Sequence, residues 1–411
     1  MKEYSDNHHQ QRHLINFLCQ KILEHPDQRI TFAQYMNWVL YHPDYGYYET
    51  HASDLGKKGD FFTAVHLGSD FGELLAEQFV QMWQILDHPA PFTLLEMGAG
   101  QGILAADILT YLQQKYPEFY AVVNYLILEK SSALRLVQQE RLQAFNQNES
   151  SPMICWQTWE TIPEKSIIGC CFSNELVDAF PVHQIVIHQG QIQEVYVTVQ
   201  EIASLKFEEV LAQPSTPKIA SYFDLIDVKF PSELYEEGYR TEVNLGALDW
   251  LTTVANKLKM GYLLTIDYGY PAHRYYHPRR REGTLQCYYQ HQRHSNPYLY
   301  IGEQDLTTHI EFTALEKQGE LCGLNRVGWT QQALFLMALG LGERMAALSF
   351  PDPESPPLDF ETVLRRRDAF HQLIDPMGLG GFGVLIQSRG LTTEMAGVLL
   401  RGLSVPGDYN Q

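Results

Sequence analysis

Positive charge is the first thing this 411-residue chain lacks: Lys and Arg number 30 against 49 Asp and Glu, a formal net charge of -19. Broad binding to nucleic acid displaces counterions from phosphates with Lys and Arg, so that class of function is not expected. Two basic runs, Arg279-Arg280-Arg281 and Arg365-Arg366-Arg367, are short and read as solvated loop or helix faces. Long apolar runs are also missing. The most apolar stretch, Ala333 to Leu341, is too short to span a bilayer and runs into Glu343 and Arg344. Met1 to His13 contains no apolar signal core and no Arg- and Ser-rich presequence pattern, so the cytoplasm is the expected compartment. Cysteine is sparse: 6 residues, without a C-x-x-C, which predicts reduced thiols and neither a disulfide framework nor a zinc site. His is plentiful at 16, yet H-E-x-x-H and related spacings are missing, so no metal is expected.

What is present is length and an alternating pattern. A hydrophobic fraction of 45% is that of an ordinary globular enzyme, and 411 residues exceed one small core. The first ninety residues read as mostly helical, with Leu14, Phe17, Leu18 and Ile22, then Phe32, Tyr35, Met36 and Val39, at helical spacing. From Phe92 strands and helices alternate: a strand to Met97, a helix Ile103 to Tyr116, a strand Val122 to Leu128, a helix from Ser132, and apolar strands near Ile154 and Ile167. That alternation predicts an α/β fold, a Rossmann-like, mostly parallel sheet with helices on both faces. Four regions are expected: 1–90 helical, 91–183 the cofactor-binding core, 184–245 an insertion with a β-hairpin, and 246–411 the rest of the core. The last region carries a Tyr-, His- and Arg-rich loop at 268–300, a helix from Thr330 to Leu348 and a C-terminal strand.

The chemistry is concentrated at predicted strand ends. In Leu94-Leu95-Glu96-Met97-Gly98-Ala99-Gly100-Gln101-Gly102 an apolar strand stops, glycines follow at every second position, and a helix starts. Such a turn lets the backbone approach a ligand closely at the carboxyl edge of the sheet. The dinucleotide fingerprint requires a glycine where Ile103 stands, which disfavours a nicotinamide oxidoreductase. G-x-G-x-G behind an acid is the methyltransferase form, with Glu96 suited to the amino group of the methionine part of S-adenosylmethionine. Glu129 closes the next strand, where a carboxylate can accept both ribose hydroxyls. Ser173-Asn174-Glu175-Leu176-Val177-Asp178-Ala179-Phe180-Pro181 follows a third apolar strand and differs from the Asp/Asn-Pro-Pro-Tyr/Phe of base methyltransferases. Glu175 and Asp178 are the candidate catalytic pair, because two carboxylates can hold the plane of a guanidinium and stabilise its charge. The alternative is that Asp178 caps the following turn and Glu175 acts alone.

Together these motifs resemble the MidA-like family of class I methyltransferases, relatives of the mitochondrial complex I assembly methyltransferase. The resemblance begins at His42-Pro43-Asp44-Tyr45-Gly46-Tyr47-Tyr48 and Gly59-Asp60-Phe61-Phe62-Thr63. It continues through Phe71-Gly72-Glu73-Leu74-Leu75, the glycine motif, Asn174 to His183, Ile266-Asp267-Tyr268-Gly269 and Asp305-Leu306-Thr307, to Gly378–Gly390. It implies protein arginine N-methylation with S-adenosylmethionine as cofactor, on a basic protein or peptide such as a respiratory NADH dehydrogenase-type subunit. It also implies that Gly59, Asp60 and Thr63 belong to a lid beside the cofactor; Glu96, Gly98, Ala99, Gly100, Gly102, Glu129 and Asn174 are the other expected cofactor-binding residues. Val65-His66 stand where the family often has Pro-Glu, and His183 reads equally as proton acceptor or structural residue. Expected partners are the substrate protein and a second copy in a homodimer, without nucleic acid or membrane insertion. Methylation of a small molecule or of another protein residue, and a cofactor-binding assembly factor without catalysis, are the rival readings.

Overall fold

A computed structural model describes residues 2–52, 63–146, 153–201, 205–350 and 359–404. Its centre is a seven-stranded sheet: β1 (Phe92–Met97), β2 (Val123–Leu128), β3 (Met153–Gln157), β4 (Ile167–Asn174), β5 (Leu258–Asp267), β6 (Asn325–Gln331) and β7 (Gly383–Arg389). In space the order is β6-β7-β5-β4-β1-β2-β3. Only the pairings of β7 are antiparallel, so the mostly parallel Rossmann-like sheet expected from the alternation is what forms. The chain runs outward from β1 to β3, then returns to lay β4 on the other side of β1. The resulting crevice, at the carboxyl ends of β1 and β4, is where open α/β sheets bind ligands.

The strands are apolar on both faces because helices cover both faces. Phe92, Leu94, Cys170, Phe172, Leu264 and Ile386 pack with α1 (Asp70–Ile85) and α2 (Ile103–Lys115). Their chain neighbours Leu95, Cys171, Leu263 and Leu385 face the other way, onto Trp250, Leu251 and Val254 of α4 (Leu245–Lys257) and Leu315 of α5 (Phe312–Leu321). That period of two, apolar at both phases, is what a buried parallel strand requires.

The remaining chain builds walls around the crevice. Gln191–Glu201 pairs with His183–His188, Leu205–Ala212 and Ile30–Thr31, and His183–His188 pairs with Arg240–Val243. The expected hairpin is therefore part of a five-stranded sheet that recruits a strand from the N-terminal region. The loop after β5 is not irregular throughout: Gln286–Tyr289, Gln292–His294 and Asp305–Thr307 form a small antiparallel sheet. Glu242 organises it from below, its buried carboxylate accepting Thr284 N at 2.8 Å and Thr284 Oγ1 at 2.9 Å.

Two local expectations are corrected. The helix expected over Thr330–Leu348 is broken, because Gly340 sits at φ 111 inside a wide turn, Met337–Leu341. The run Arg365–Arg367 is not wholly solvated. Arg366, on α6 (Phe360–Ile374), donates from Nε and Nη2 to buried Asp70 at 3.1 and 2.6 Å, and Arg344 joins the same carboxylate at 2.8 Å. A buried acid near the start of α1 needs paired cations, and these two tie the C-terminal helices to the core.

The aromatic segment before the described gap is fastened by one side chain. Glu49 accepts Ser132 N at 3.0 Å, Ala133 N at 3.1 Å and Ser131 Oγ at 2.7 Å, at the N-terminus of α3 (Ser132–Leu142). An anion there meets free N–H donors and the positive end of the helix dipole. Replacing Glu49 with Ala is expected to lower unfolding stability by about 1–2 kcal/mol. Denaturant titration measures this, and an unchanged midpoint would show that the segment is held by other contacts.

Candidate functional site

The first cavity lies over the carboxyl ends of β1, β2 and β4. Its walls include Thr63, Glu96, Gly98, Ala99, Gly100, Glu129, Asn174 and Glu175, eight of the residues expected from the sequence. Gly102 and Asp178 do not line it, and Gly59 and Asp60 lie outside the described residues.

The glycine turn is built for close approach. Gly98 has φ 72, and a Cβ there would meet Leu176 Cδ1 at 2.7 Å. Gly100 has φ 52, yet a Cβ there would meet nothing within 4 Å. Among the described residues nothing occupies the space over Gly100, which leaves the backbone open to a ligand. Gly102 opens α2 and packs toward Gln138, a structural place rather than a wall of the cavity.

Each carboxyl group in the cavity has a fixed geometry. Glu96, at the end of β1, accepts the Tyr125 hydroxyl at 2.6 Å, and burial raises it to about 7. Glu129, at the end of β2, accepts Ser131 N and Gln138 Nε2, both at 3.0 Å. Gln138 also donates to Gly100 O at 2.8 Å and accepts from Trp156 Nε1 at 2.8 Å, which joins the ribose-side acid to the glycine turn. Neither Gln138 nor Trp156 was singled out in the sequence; a Gln on one face of an ordinary helix carries no signal.

Glu175 stands where β4 ends, in the left-handed region at φ 50. A non-glycine residue holds that conformation only when its surroundings enforce it. Its N–H donates to Ile266 O at 2.9 Å. Burial, and then the charge of Asp178, raise its carboxyl to about 8. Asp178 is fully buried behind it, on the short 3₁₀ turn Val177–Ala179. Tyr268 donates to Asp178 Oδ2 at 2.7 Å, and burial raises Asp178 to about 6. Of the expected pair, Glu175 lines the cavity, whereas the side chain of Asp178 is fully buried and lies outside its wall. Asp267, at the end of β5, supports the same turn by accepting Val177 N at 3.0 Å and Asp178 N at 3.3 Å. His183 is taken by buried Glu194 at 2.7 Å, a structural pairing.

The remaining walls come from the N-terminal region. Tyr41 and Tyr48 line the cavity, with hydroxyls donated to Ala179 O at 2.9 Å and Asp305 Oδ1 at 2.9 Å. Lys130 caps the Tyr41 ring 4.2 Å from its centroid. Thr63 and His66 close the corner, Thr63 N donating to His66 Nδ1 at 3.2 Å. Val65 and His66, which depart from the family pattern, both line the cavity.

A second cleft of about 1420 Å³ lies on the other side of Glu175. Tyr268, Tyr270, Tyr288, His309, Trp329 and Phe382 form much of its wall. Glu175 is the residue that lines both spaces.

The chain belongs to the family of S-adenosyl-L-methionine-dependent methyltransferases, whose model matches residues 74–330. It is 28% identical to the Drosophila melanogaster homolog of the mitochondrial protein arginine methyltransferase NDUFAF7, over 85% of this chain and 79% of that one. With the Mus musculus NDUFAF7 the identity is 30%, over 78% of this chain and 72% of the relative. A crystal structure of a Burkholderia thailandensis protein bound to S-adenosyl-homocysteine shares 30% identity and a TM-score of 0.81, over 99% of this chain and 98% of that one. The MidA-like resemblance is thus upheld, S-adenosylmethionine is the family's cofactor, and the nicotinamide alternative falls away.

The residues present fit that cofactor. Open space over Gly100 admits a ligand against backbone, and Asn174 offers a buried Oδ1 that has no partner among the described residues. Glu96 and Glu129 line the same cavity and would offer acceptors to an ammonium and to ribose hydroxyls. Replacing Gly100 with Val should strain the φ 52 backbone and fill the open space. Calorimetric titration with S-adenosylhomocysteine is expected to show at least a tenfold weaker affinity, about 1.4 kcal/mol or more. Unchanged affinity would place the cofactor elsewhere.

Proposed function

We propose that this methyltransferase transfers a methyl group to an arginine side chain of a protein partner. The observation that carries the proposal is the position of Glu175 between the cofactor cavity and an aromatic-walled cleft. The relatives named protein arginine methyltransferases support it. A net charge of -19 favours a basic partner, and a respiratory NADH dehydrogenase-type subunit fits that description. None of the six cysteines is in a disulfide, in keeping with the cytoplasm as the compartment we propose.

Bound in the first cavity, S-adenosylmethionine supplies a methyl group on a sulfonium. The rest of the work falls to this chain. The carboxylate of Glu175 accepts hydrogen bonds from the guanidinium, fixes its plane and draws its charge toward one nitrogen. The face of Tyr268 offers cation–π support from the cleft side. Asp178, held by the Tyr268 hydroxyl, and Asp267, bound to the backbone of the turn, keep Glu175 in place. The nitrogen that gains a methyl group must lose a proton, and Glu175 is positioned to take it. Catalysis in this scheme comes mainly from placement and charge stabilisation.

The acidity of Glu175 sets a pH dependence. A carboxyl raised to about 8 is mostly protonated at neutral pH in the free enzyme, and only the ionised form grips a guanidinium. The value of kcat/KM should therefore rise about tenfold per pH unit up to about 8, then level. A profile flat between pH 6 and 9 would contradict the scheme. Glu175→Gln should lower methyl transfer roughly 100- to 1000-fold, with S-adenosylhomocysteine binding changed only a few-fold. Radiolabel transfer to arginine peptides measures the first and calorimetry the second; full transfer by the variant would sink the role given to Glu175.

A further inference from the structure

The loop that follows β5 brings a cluster of arginines to the mouth of the acceptor cleft. Arg274 lines the cleft, with its guanidinium 5.1 Å from the Tyr270 ring centroid. Arg280 stands 4.3 Å from the centroid of the same ring. Arg293 is paired in register with Tyr288, another wall residue. Arg274 and Arg293 are exposed and Arg280 half-exposed, so all three are open to solvent.

Their electrostatic condition is unusual for this chain. Acids outnumber bases 49 to 30, and Arg281, the next residue along, is paired with Glu236 at 2.7 Å. Among the described residues, no carboxylate pairs with Arg274, Arg280 or Arg293. Two guanidiniums brought to one tyrosine ring repel each other unless an anion sits near both. The positive field extends into the cleft: His309, on its wall, is lowered to about 4 by burial and then by Arg280 and Arg293.

We infer that this arginine rim holds an acidic side chain of the substrate segment, close in sequence to the arginine that reaches Glu175, and thereby selects which arginines are methylated. The inference rests on the reading that the chain methylates protein arginine. Arg is the suited residue, since its planar fork binds a carboxylate through two hydrogen bonds. Long-range attraction and local recognition then differ in sign. The acidic body of the protein draws a basic partner, and the rim accepts only a segment whose arginine has an acidic neighbour. A rim charge of this kind acts on partner choice and on encounter more than on the chemical step.

The test uses the full chain and three peptides that share one central arginine, flanked by Glu, Gln or Lys. Methyl transfer is measured for the wild type and for Arg274→Gln/Arg280→Gln, and fluorescence anisotropy of the labelled peptides is measured with S-adenosylhomocysteine present. Wild type should favour the Glu-flanked over the Gln-flanked peptide by roughly tenfold in kcat/KM, mostly in KM, with the ratio shrinking as salt rises. In the double variant the ratio should fall to near one, at an unchanged melting temperature. Methylation of all three peptides without a Glu preference, or a preference that survives in the variant, would overturn the rim while leaving arginine methylation intact. Rim-dependent binding of the Glu-flanked peptide without methyl transfer would support the rim and refute the arginine reading. Displacement of that peptide by a short RNA at lower concentration than by unlabelled peptide would overturn it in favour of phosphate recognition.

Discussion

A row of buried acidic side chains at one edge of the sheet is the constraint that organises this protein. Glu96, Glu129, Glu175, Asp178 and Asp267 all stand at or just beyond the carboxyl ends of β1, β2, β4 and β5. Burial raises every one of them above its ordinary range. A carboxylate taken out of water is costly unless hydrogen bonds or opposite charge compensate it. The protein supplies the hydrogen bonds, from Tyr125, Ser131, Gln138, Tyr268 and the backbone of the 3₁₀ turn. Among the described residues, Lys130 is the one Lys or Arg in the wall of the first cavity. In the proposed reaction further cations arrive with the ligands, a sulfonium and an ammonium on one side of Glu175 and a guanidinium on the other.

The surrounding architecture follows from keeping those acids in place. The strands that carry them are apolar on both faces, so helices must cover both sides, and the acids can emerge only at a strand end. The N-terminal segment is then needed as a third wall, and Glu49 fastens it to the first turn of α3. The same turn positions Ser131, which donates to Glu129. One helix start thus joins the lid side of the cavity to the ribose side. The loop after β5 forms the far wall in a similar manner, with Glu242 as its buried fastening.

Much of this was legible in the sequence, for identifiable reasons. Strand ends followed by glycine or by an acid are local patterns, and the sheet edge gathers local patterns into one place. Hence Glu96, Gly98, Ala99, Gly100, Glu129, Asn174 and Glu175 meet around one cavity. What was not legible depends on direction or on distance along the chain. Asp178 lies three residues after Glu175, and no spacing rule says whether a 3₁₀ turn points a side chain into the cavity or behind it. Asp267 and Tyr268 bond to a turn about ninety residues earlier. Gln138 reads as an ordinary helical glutamine until Trp156 and Gly100 are beside it. The strand Ile30–Thr31 is two residues long, too short for any periodicity, and exists because Val197 and Tyr196 offer a free edge. The break at Gly340 was hidden by the apolar residues around it, which kept a helical rhythm that the backbone does not follow.

Glu175 shows how these constraints converge. Its φ of 50 is a conformation most side chains avoid, and its N–H is tied to Ile266 of the neighbouring strand. Were the residue to relax into the extended region, β4 would continue and the side chain would leave the boundary between the two spaces. Asp267 prevents this by holding the next turn through its backbone, and Asp178 opposes inward movement by charge. The strain and the repulsion are both offset elsewhere, in the bonds to Tyr268 and in the packing of β5 against β4. A carboxylate kept in an unfavourable conformation, beside another acid and between two cavities, contributes nothing evident to folding. Its position is intelligible as that of a group whose partner arrives with the substrate.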